Sequence, residues 1–168
     1  GVMTRSGRTW GSVGDPPIVK ISMQRGGYNL LSMVTPQGDL RYSMEEEHIE
    51  TERYIQFLKQ LMRERQRPLI LLTDRAPFHT SKKLRDFVRA HRSQLRVYFL
   101  PRRAPELNPD EQVWNEVKNN KIGKQPVKGK KDLKKRLHSA IHSLQKNTRR
   151  IISFFHLPDT CYAADNVL

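Results

Sequence analysis

Cysteine and long apolar runs are both scarce in this sequence. Among its 168 residues, Cys161 is the single cysteine. An intrachain disulfide and a cysteine-based zinc site are therefore excluded, and a reducing, intracellular setting is favoured. The longest apolar run, Leu69–Leu72, is far shorter than the roughly 20 residues of a transmembrane helix. Since the first residues form no apolar signal segment either, we expect no membrane association.

Acidic residues are also few, and the basic excess is concentrated in one segment. The chain has 31 Lys and Arg against 17 Asp and Glu, a formal net charge of +14. Residues 118–150 contain twelve Lys and Arg and one acid, Asp132, and so carry +11 of this charge. This asymmetry indicates a polyanion, nucleic acid before an anionic membrane, although a solvated basic helix face would show the same composition. The candidate phosphate contacts are Lys118, Lys121, Lys124, Lys128, Lys130, Lys131, Lys134, Lys135 and Arg136.

The first part of the chain has the pattern of a β-meander. Its length suits one domain, but it does not begin with Met, and we expect it to be a piece of a longer reading frame. Glycine and proline cluster in residues 7–17, which predicts a turn-rich connection. Strands are then predicted at Ile18–Ser22, Asn29–Val34 and Leu40–Met44.

Helices and strands alternate after the meander. Apolar residues at helical spacing predict an amphipathic helix over Ile49–Arg65. Leu69–Thr73 is apolar on both faces, which is typical of a strand covered on both sides. The other predicted elements are a helix capped by Thr80 or Ser81, a strand at Arg96–Leu100, a helix opened by Asn108 and Pro109, a linker over Lys121–Lys130 and a final helix ending near Asn147. This order predicts a mixed α/β sheet flanked by helices.

Two acidic residues stand where α/β folds place catalytic groups. Asp74 follows the strand Leu69–Thr73 directly, and open α/β sheets form active sites at the carboxyl ends of their strands. Glu111 lies in the first turn of a later helix, after enough chain to return beside Asp74. Paired carboxylates suit Mg²⁺, and two such ions can clamp both reacting oxygens of a phosphodiester. Asp74 could equally be a turn residue, and Glu111 the acidic half of a capping box with Asn108.

The strings LLTDRAPFHTS and YFLPRRAPELNPDEQVWNEVK resemble the second and third acidic motifs of DDE transposases. The similarity is to the mariner superfamily, specifically the bacterial insertion-sequence group often called IS-six-thirty. In that family the second acid ends a buried strand and a His follows shortly after, as Asp74 and His79 do here. The third acid lies in a helix opened by Leu-Asn-Pro with a Trp three residues on, as Glu111 and Trp114 do. The string GRTWGSVGDPPIV resembles the loop after the family's first strand.

The resemblance covers nearly the whole chain and implies a ribonuclease-H-like fold. It implies that Asp74 and Glu111 are catalytic ligands of Mg²⁺ or Mn²⁺, with His79, Arg75 and Asn108 as active-site neighbours. Arg75 stands where the family usually has Asn, and we expect it to face a phosphate rather than the metal. The family's first strand and its Asp precede the Gly/Arg/Trp loop, and both are missing from this sequence.

These observations lead to an expected function and one alternative. The expected function is the catalytic domain of a DNA transposase, acting on transposon ends and target DNA. We expect it to be incomplete, with the missing strand supplied by a dimer partner or by the product of an upstream frame. Residues 1–120 would form the truncated catalytic domain and residues 121–168 a basic linker and helical extension of it. A bacterial, nucleoid-associated cytoplasmic protein is implied. The alternative is a basic nucleic-acid-binding module without chemistry.

Overall fold

The computed structural model describes residues 27–46, 48–64, 67–122 and 127–164. The strands in these ranges are β1 (Asn29–Val34), β2 (Leu40–Glu45), β3 (Leu69–Thr73) and β4 (Leu95–Phe99). The α-helices are α1 (Thr51–Arg63), α2 (Lys82–Ala90), α3 (Asp110–Asn115), α4 (Lys130–Gln145) and α5 (Thr148–Ser153), and a π-helical segment, Glu116–Ile122, follows α3. The predicted strand Ile18–Ser22 and the connection at residues 7–17 lie outside the described residues.

Strands β1 and β2 form an antiparallel hairpin in which Asn29 pairs with Glu45 and Val34 pairs with Leu40. The turn between them places Gly38 at a positive φ of 92°, a conformation that glycine adopts without a Cβ clash. Because side chains alternate across a strand, the hairpin contributes to two cores. Leu31 and Met33 face one of them, and Leu40 faces the other. Both predicted strands are therefore confirmed, with β2 one residue longer.

Strands β3 and β4 run parallel and are joined through α2, because parallel neighbours need a crossover connection. Helix α2 begins after Ser81, whose Oγ accepts a hydrogen bond from the Leu84 amide at 3.2 Å, so Ser81 rather than Thr80 is the cap. The prediction that β3 is covered on both faces is wrong for the part of the chain that is described. Its inner face packs on α1 and α2, but Ile70 is 51% exposed and Leu72 is 38% exposed on the other face.

Two hydrophobic cores lie on opposite sides of the hairpin. One is formed by α1, α2 and the β3–β4 sheet, with Leu58 fully buried in it. The other is formed by α3, the π-helical segment, α4 and α5, around Val113, Ile141 and Ile151. Helix α5 was not predicted from the sequence; it begins after Asn147, whose side chain accepts from the Arg150 amide. The helices after residue 121 thus pack into the same core as α3 and β2.

A groove separates the two sheets. Within the described ranges, β1 pairs only with β2 and β3 pairs only with β4. The cavity between them has a volume of about 650 Å³ and is lined by five consecutive residues of β1, Leu30–Val34, and by all of β3. Two strand edges therefore face one space, and Asp74 lies in its wall. Among the described helices, none is long and apolar enough to cross a membrane.

Candidate active site

Asp74 and His79 form a close pair at the carboxyl end of β3. The Asp74 Oδ1 atom lies 2.6 Å from Nδ1 of His79 and also accepts a hydrogen bond from the Ala76 amide at 3.0 Å. The bond from His79 is the main cause that lowers the pKa of Asp74, and partial burial opposes it. An ionised carboxylate can only accept hydrogen bonds, so Nδ1 of His79 is the donor in this contact and carries the hydrogen. Asp74 is therefore held ionised and oriented, while 60% of its side chain remains exposed.

The imidazole of His79 is fixed by its surroundings. Its side chain is only 11% exposed, and its ring lies 4.5 Å from the ring of Tyr54 and 4.2 Å from that of Phe78, measured between centroids. The Thr73 hydroxyl lies 3.0 Å from Nδ1 and also bonds to Tyr54, whose pKa is raised because the phenol is buried. This packing restricts rotation of the imidazole, and it therefore restricts the Asp74 carboxylate that the imidazole holds.

Arg75 is turned away from Asp74. Its guanidinium lies 5.2 Å from the centroid of the Phe99 ring, and its Nε donates to the Leu100 carbonyl oxygen at 3.4 Å. The described contacts of the Arg75 guanidinium are therefore with Phe99 and the Leu100 carbonyl oxygen. Contact between Arg75 and a phosphate stays a prediction.

Asn108 starts the helix that carries Glu111. Its side-chain oxygen accepts from the Asp110 amide at 3.1 Å, and its carbonyl oxygen accepts from the Glu111 amide at 3.0 Å. Pro109 already has helical backbone angles, as a proline at a helix start should. None of the hydrogen bonds among the described residues involves the Glu111 side chain, so the structure gives no support to the capping-box explanation. Glu111 lines the same groove as Asp74.

A third carboxylate, Asp110, lies at this end of the groove. Its Oδ2 accepts a hydrogen bond from the Ser32 hydroxyl of β1 at 2.6 Å and from Nε1 of Trp114 at 3.2 Å. Its Oδ1 is buried and has no hydrogen-bond partner among the described residues. Burial is the main cause that raises the pKa of Asp110 to about 6; the negative charges of Glu111 and Asp74 act in the same direction, and the hydrogen bonds from Ser32 and Trp114 oppose it. Asp110 therefore feels the charges of both neighbouring acids.

The donor atoms at this site are the oxygens that Mg²⁺ and Mn²⁺ prefer. A buried carboxylate oxygen that lacks a partner within the described ranges, and that lies beside two further acids, fits a hard cation in its chemistry. Across the described ranges, however, no three His, Cys, Asp or Glu side chains already form a metal-binding group. The carboxylates therefore line one groove without having converged on a single point.

The predicted phosphate contacts lie on one stretch after the site. Lys128, Lys130, Lys131, Lys134 and Lys135 are exposed, whereas Arg136 is half-buried and paired with Asp132. Glu46 lies 2.7 Å from Nζ of Lys130 and 3.9 Å from that of Lys134. Lys118 is exposed, with its Nζ 6.0 Å from the centroid of the Trp114 ring. The side chains of Lys121 and Lys124 lie outside what the structure describes.

The family follows from a match over most of the chain. Residues 2–134 match the family model described as DDE superfamily endonuclease. The chain belongs to this family. A comparison with curated proteins found no match.

Solved structures show which fold this DDE domain has. It is 21% identical to the chain in the crystal structure of the Mos1 strand transfer complex, with a TM-score of 0.61 over 89% of this chain and 49% of that one. It is 20% identical to the chain in the Mos1 mariner paired end complex with Mn, with a TM-score of 0.60 over 95% and 52%. The catalytic domain of Mos1 mariner transposase matches at 21% identity over 76% and 79%, with a TM-score of 0.46. The chain spans about half the length of the chains in the two complexes, and the ribonuclease-H-like mixed α/β fold is confirmed.

Asp110 is the site residue that the sequence analysis missed. It occupies the variable position of the Leu-Asn-Pro-x-Glu string, to which the motif assigns no function. The one signal in the sequence was Trp114 four residues on, since residues at this spacing lie on the same helix face. Ser32, 78 residues upstream, gave no signal at all.

Proposed function

We propose that this chain is the catalytic domain of a DNA transposase of the bacterial IS-six-thirty group. The observation that carries the proposal is that Asp74 and Glu111 both line one groove in a member of the DDE superfamily. The substrates would be transposon ends and target DNA, and the Mos1 structures named for a strand transfer complex and for paired ends support this. Such a protein would work on DNA in the cytoplasm, in association with the nucleoid.

Asp74 and Glu111 would hold Mg²⁺ or Mn²⁺, and the bound ions would activate the attacking oxygen and stabilise the leaving oxygen of a phosphodiester. The chain's own residues set the geometry. His79 keeps Asp74 ionised and oriented through its 2.6 Å contact. Asn108 fixes the first turn of α3, from which Glu111 projects. Arg75, held against Phe99, leaves the groove free for the substrate.

We further propose that the domain is incomplete on its own. In the family that the sequence resembles, the first strand lies between the second strand and the strand that carries the second acid. The groove between β1 and β3 corresponds to that position, and its two strand edges would pair with an inserted strand. Buried backbone groups without partners cost about 1–3 kcal/mol each. A strand ending in Asp, from a second protomer or an upstream frame product, would complete both the sheet and the acidic triad.

A nicking assay on supercoiled DNA tests the catalytic proposal. The 168-residue chain alone is expected to leave the plasmid intact in Mg²⁺ or Mn²⁺, because one of three acids is missing. Fusing an apolar strand that ends in Asp-Glu to the N-terminus is expected to produce metal-dependent nicks. In that fusion, Asp74→Ala should reduce nicking by at least about a thousandfold, whereas Asp86→Ala, at an exposed site on α2, should not.

Two outcomes of this assay would contradict the proposal in different ways. If the unfused chain nicks DNA and Asp74→Ala abolishes the nicking, the domain is not incomplete, but the proposed transposase function is unaffected. A fusion that folds, binds DNA and produces no nicks would favour the basic binding module without chemistry.

The basic segment is expected to bind DNA through phosphates rather than bases. Lys131 and Lys135 are exposed and take part in none of the ion pairs among the described residues. Replacing both with Ala should lower the magnitude of the slope of log K against log salt by about 2, because each lost phosphate contact removes about one released counterion. Fluorescence anisotropy with two unrelated duplexes measures this. Lys82→Ala with Arg85→Ala, on α2, removes the same charge and should leave the slope unchanged.

A further inference from the structure

The segment between β4 and α3 carries two exposed arginines that pair with no described residue. Residues 101–105, which we call the arginine loop, read Pro-Arg-Arg-Ala-Pro. Arg102 and Arg103 are exposed, and neither guanidinium makes an ion pair or a hydrogen bond with another described residue. Glu106, the next acid along the chain, is not paired with either of them among the described residues. Both guanidinium groups are therefore available to an anion from outside the chain.

The backbone of the arginine loop is held in an unfavourable conformation. Arg103 has a φ of 58° and is the only residue other than glycine with a positive φ in the described ranges. A side chain in this left-handed region crowds the backbone, so the conformation persists only where the surrounding structure holds it. Leu100, before the loop, is buried, and the Leu107 carbonyl oxygen, after it, accepts a hydrogen bond from the Tyr162 hydroxyl at 2.7 Å. The fold thus anchors the loop at both ends and keeps Arg103 in place at a cost in stability.

The arginine loop connects the two parts of the chain that carry the acids of the candidate site. It begins at the carboxyl end of β4, whose last residue, Phe99, pairs with Thr73, the residue before Asp74. It leads through the 3₁₀ turn Pro105–Leu107 toward α3 and Glu111. Arg75, with its guanidinium 5.2 Å from the centroid of the Phe99 ring, is a third arginine at this end of the sheet. Since no described ion pair joins any of the three arginines to either acid, their positive charge is not neutralised by the site itself.

We propose that Arg102 and Arg103 bind a backbone phosphate of the DNA strand that enters the candidate site, and so position that strand beside the two acids. This inference rests on the proposed function for its substrate, and it adds a phosphate site outside the basic segment at residues 118–150. A guanidinium suits this role because its planar set of donors matches a phosphate through two parallel hydrogen bonds. Positive charge at the rim also offsets the repulsion between the phosphates and the acidic groove.

Binding of the 168-residue chain to a short DNA duplex, measured by fluorescence anisotropy at several salt concentrations, tests the proposal. Arg102→Ala with Arg103→Ala should lower the magnitude of the slope of log K against log salt by about 2. Arg102→Lys with Arg103→Lys should keep the slope, because the charge is kept, and still weaken binding by about 2–10-fold, because the paired hydrogen bonds are lost. The matched control is Arg85→Ala with Arg92→Ala, which removes one exposed arginine on α2 and one before the amino end of β4. It should leave both the slope and the affinity unchanged.

The left-handed backbone at Arg103 allows DNA binding to be separated from folding. Arg103→Gly and Arg103→Ala both remove the guanidinium, so both should weaken binding to the same extent. Only glycine relieves the backbone crowding, so Arg103→Gly should unfold at a higher urea concentration than Arg103→Ala. If Arg103→Gly binds DNA as the parent chain does, the guanidinium makes no contact with the phosphate and the inference is wrong.

The possible outcomes distinguish this inference from the proposed function. If the double Ala variant keeps the parent's slope and affinity while the strand-fused chain nicks DNA through Asp74, the inference is wrong and the proposed function is unaffected. If the double Ala and double Lys variants lose affinity as expected but the strand-fused chain never nicks DNA, the phosphate site stands without the catalytic function. Equal weakening by the control pair would show an effect of total charge alone and would overturn the inference.

Discussion

Replacing Asp110 with Asn should remove a pH dependence of about 2–3 kcal/mol from the folding stability between pH 4 and pH 7. Burial raises the pKa of Asp110 from its ordinary 3.8 to about 6. The folded protein therefore holds this proton more tightly than the unfolded chain does, and stability falls as the pH rises through this interval. The interval from 3.8 to about 6 corresponds to about 3 kcal/mol at 1.36 kcal/mol per pH unit. Ionised Asp110 at pH 7 is thus a destabilising group, unless a cation pairs with it.

Urea unfolding of parent and variant at several pH values measures this effect. The difference in free energy of unfolding between the two proteins should move in favour of Asp110→Asn as the pH rises, and should level off above about pH 6.5. Titratable groups that do not interact with Asp110 are common to both proteins and cancel. Asp86→Asn serves as the control, with no comparable change. A difference that stays constant from pH 4 to pH 7 would show that Asp110 titrates normally.

The second large effect is expected from Leu58→Ala. Leu58 is fully buried in the core formed by α1, α2 and the β3–β4 sheet. Removing its branched side chain should lower the free energy of unfolding by about 2–5 kcal/mol, through lost apolar burial and the cavity that remains. Against a typical total of about 5–15 kcal/mol, this change would leave a domain with an open groove close to unfolding at 37 °C.

Thermal and urea unfolding at one pH value test this, with Ile70→Ala as the matched control. Ile70 is also apolar and lies on β3, but it is 51% exposed, and its replacement should change stability by less than about 0.5 kcal/mol. Equal losses for the two variants would mean that the exposed face of β3 is covered in solution, as an added strand or a partner chain would do.

The strands and helices that could be predicted are those with a strong local pattern. Strand β1, an apolar-rich segment between two turn signals, is predicted with its observed bounds, and so is β3, a continuous apolar run. Helix α5, six residues long, is too short for helical periodicity to show. The exposed face of β3 could not be predicted either, because the same apolar residues suit a strand covered on one face or on two.

The residues of the candidate site also differ in whether a local sequence pattern predicts them. Asp74, His79 and Glu111 were predicted because each stands in a local string with fixed spacing. Asp110 was not, because its burial and its bond to Ser32 depend on how β1 meets α3, 78 residues apart in sequence. Local patterns therefore identified the residues that face the groove, and tertiary packing determined which neighbouring acid lost its solvent.

The groove between β1 and β3 also affects how parts of the domain unfold locally in the native state. No described backbone ladder joins the two sheets, and among the described residues the hairpin meets the β3–β4 sheet through side-chain packing, with Leu31 and Met33 in the same core as Leu69. Local unfolding therefore need not be shared fully between the two sheets. We expect native-state amide exchange to divide into two cooperative units with different opening free energies. A strand bound in the groove would connect the two ladders and merge the units into one.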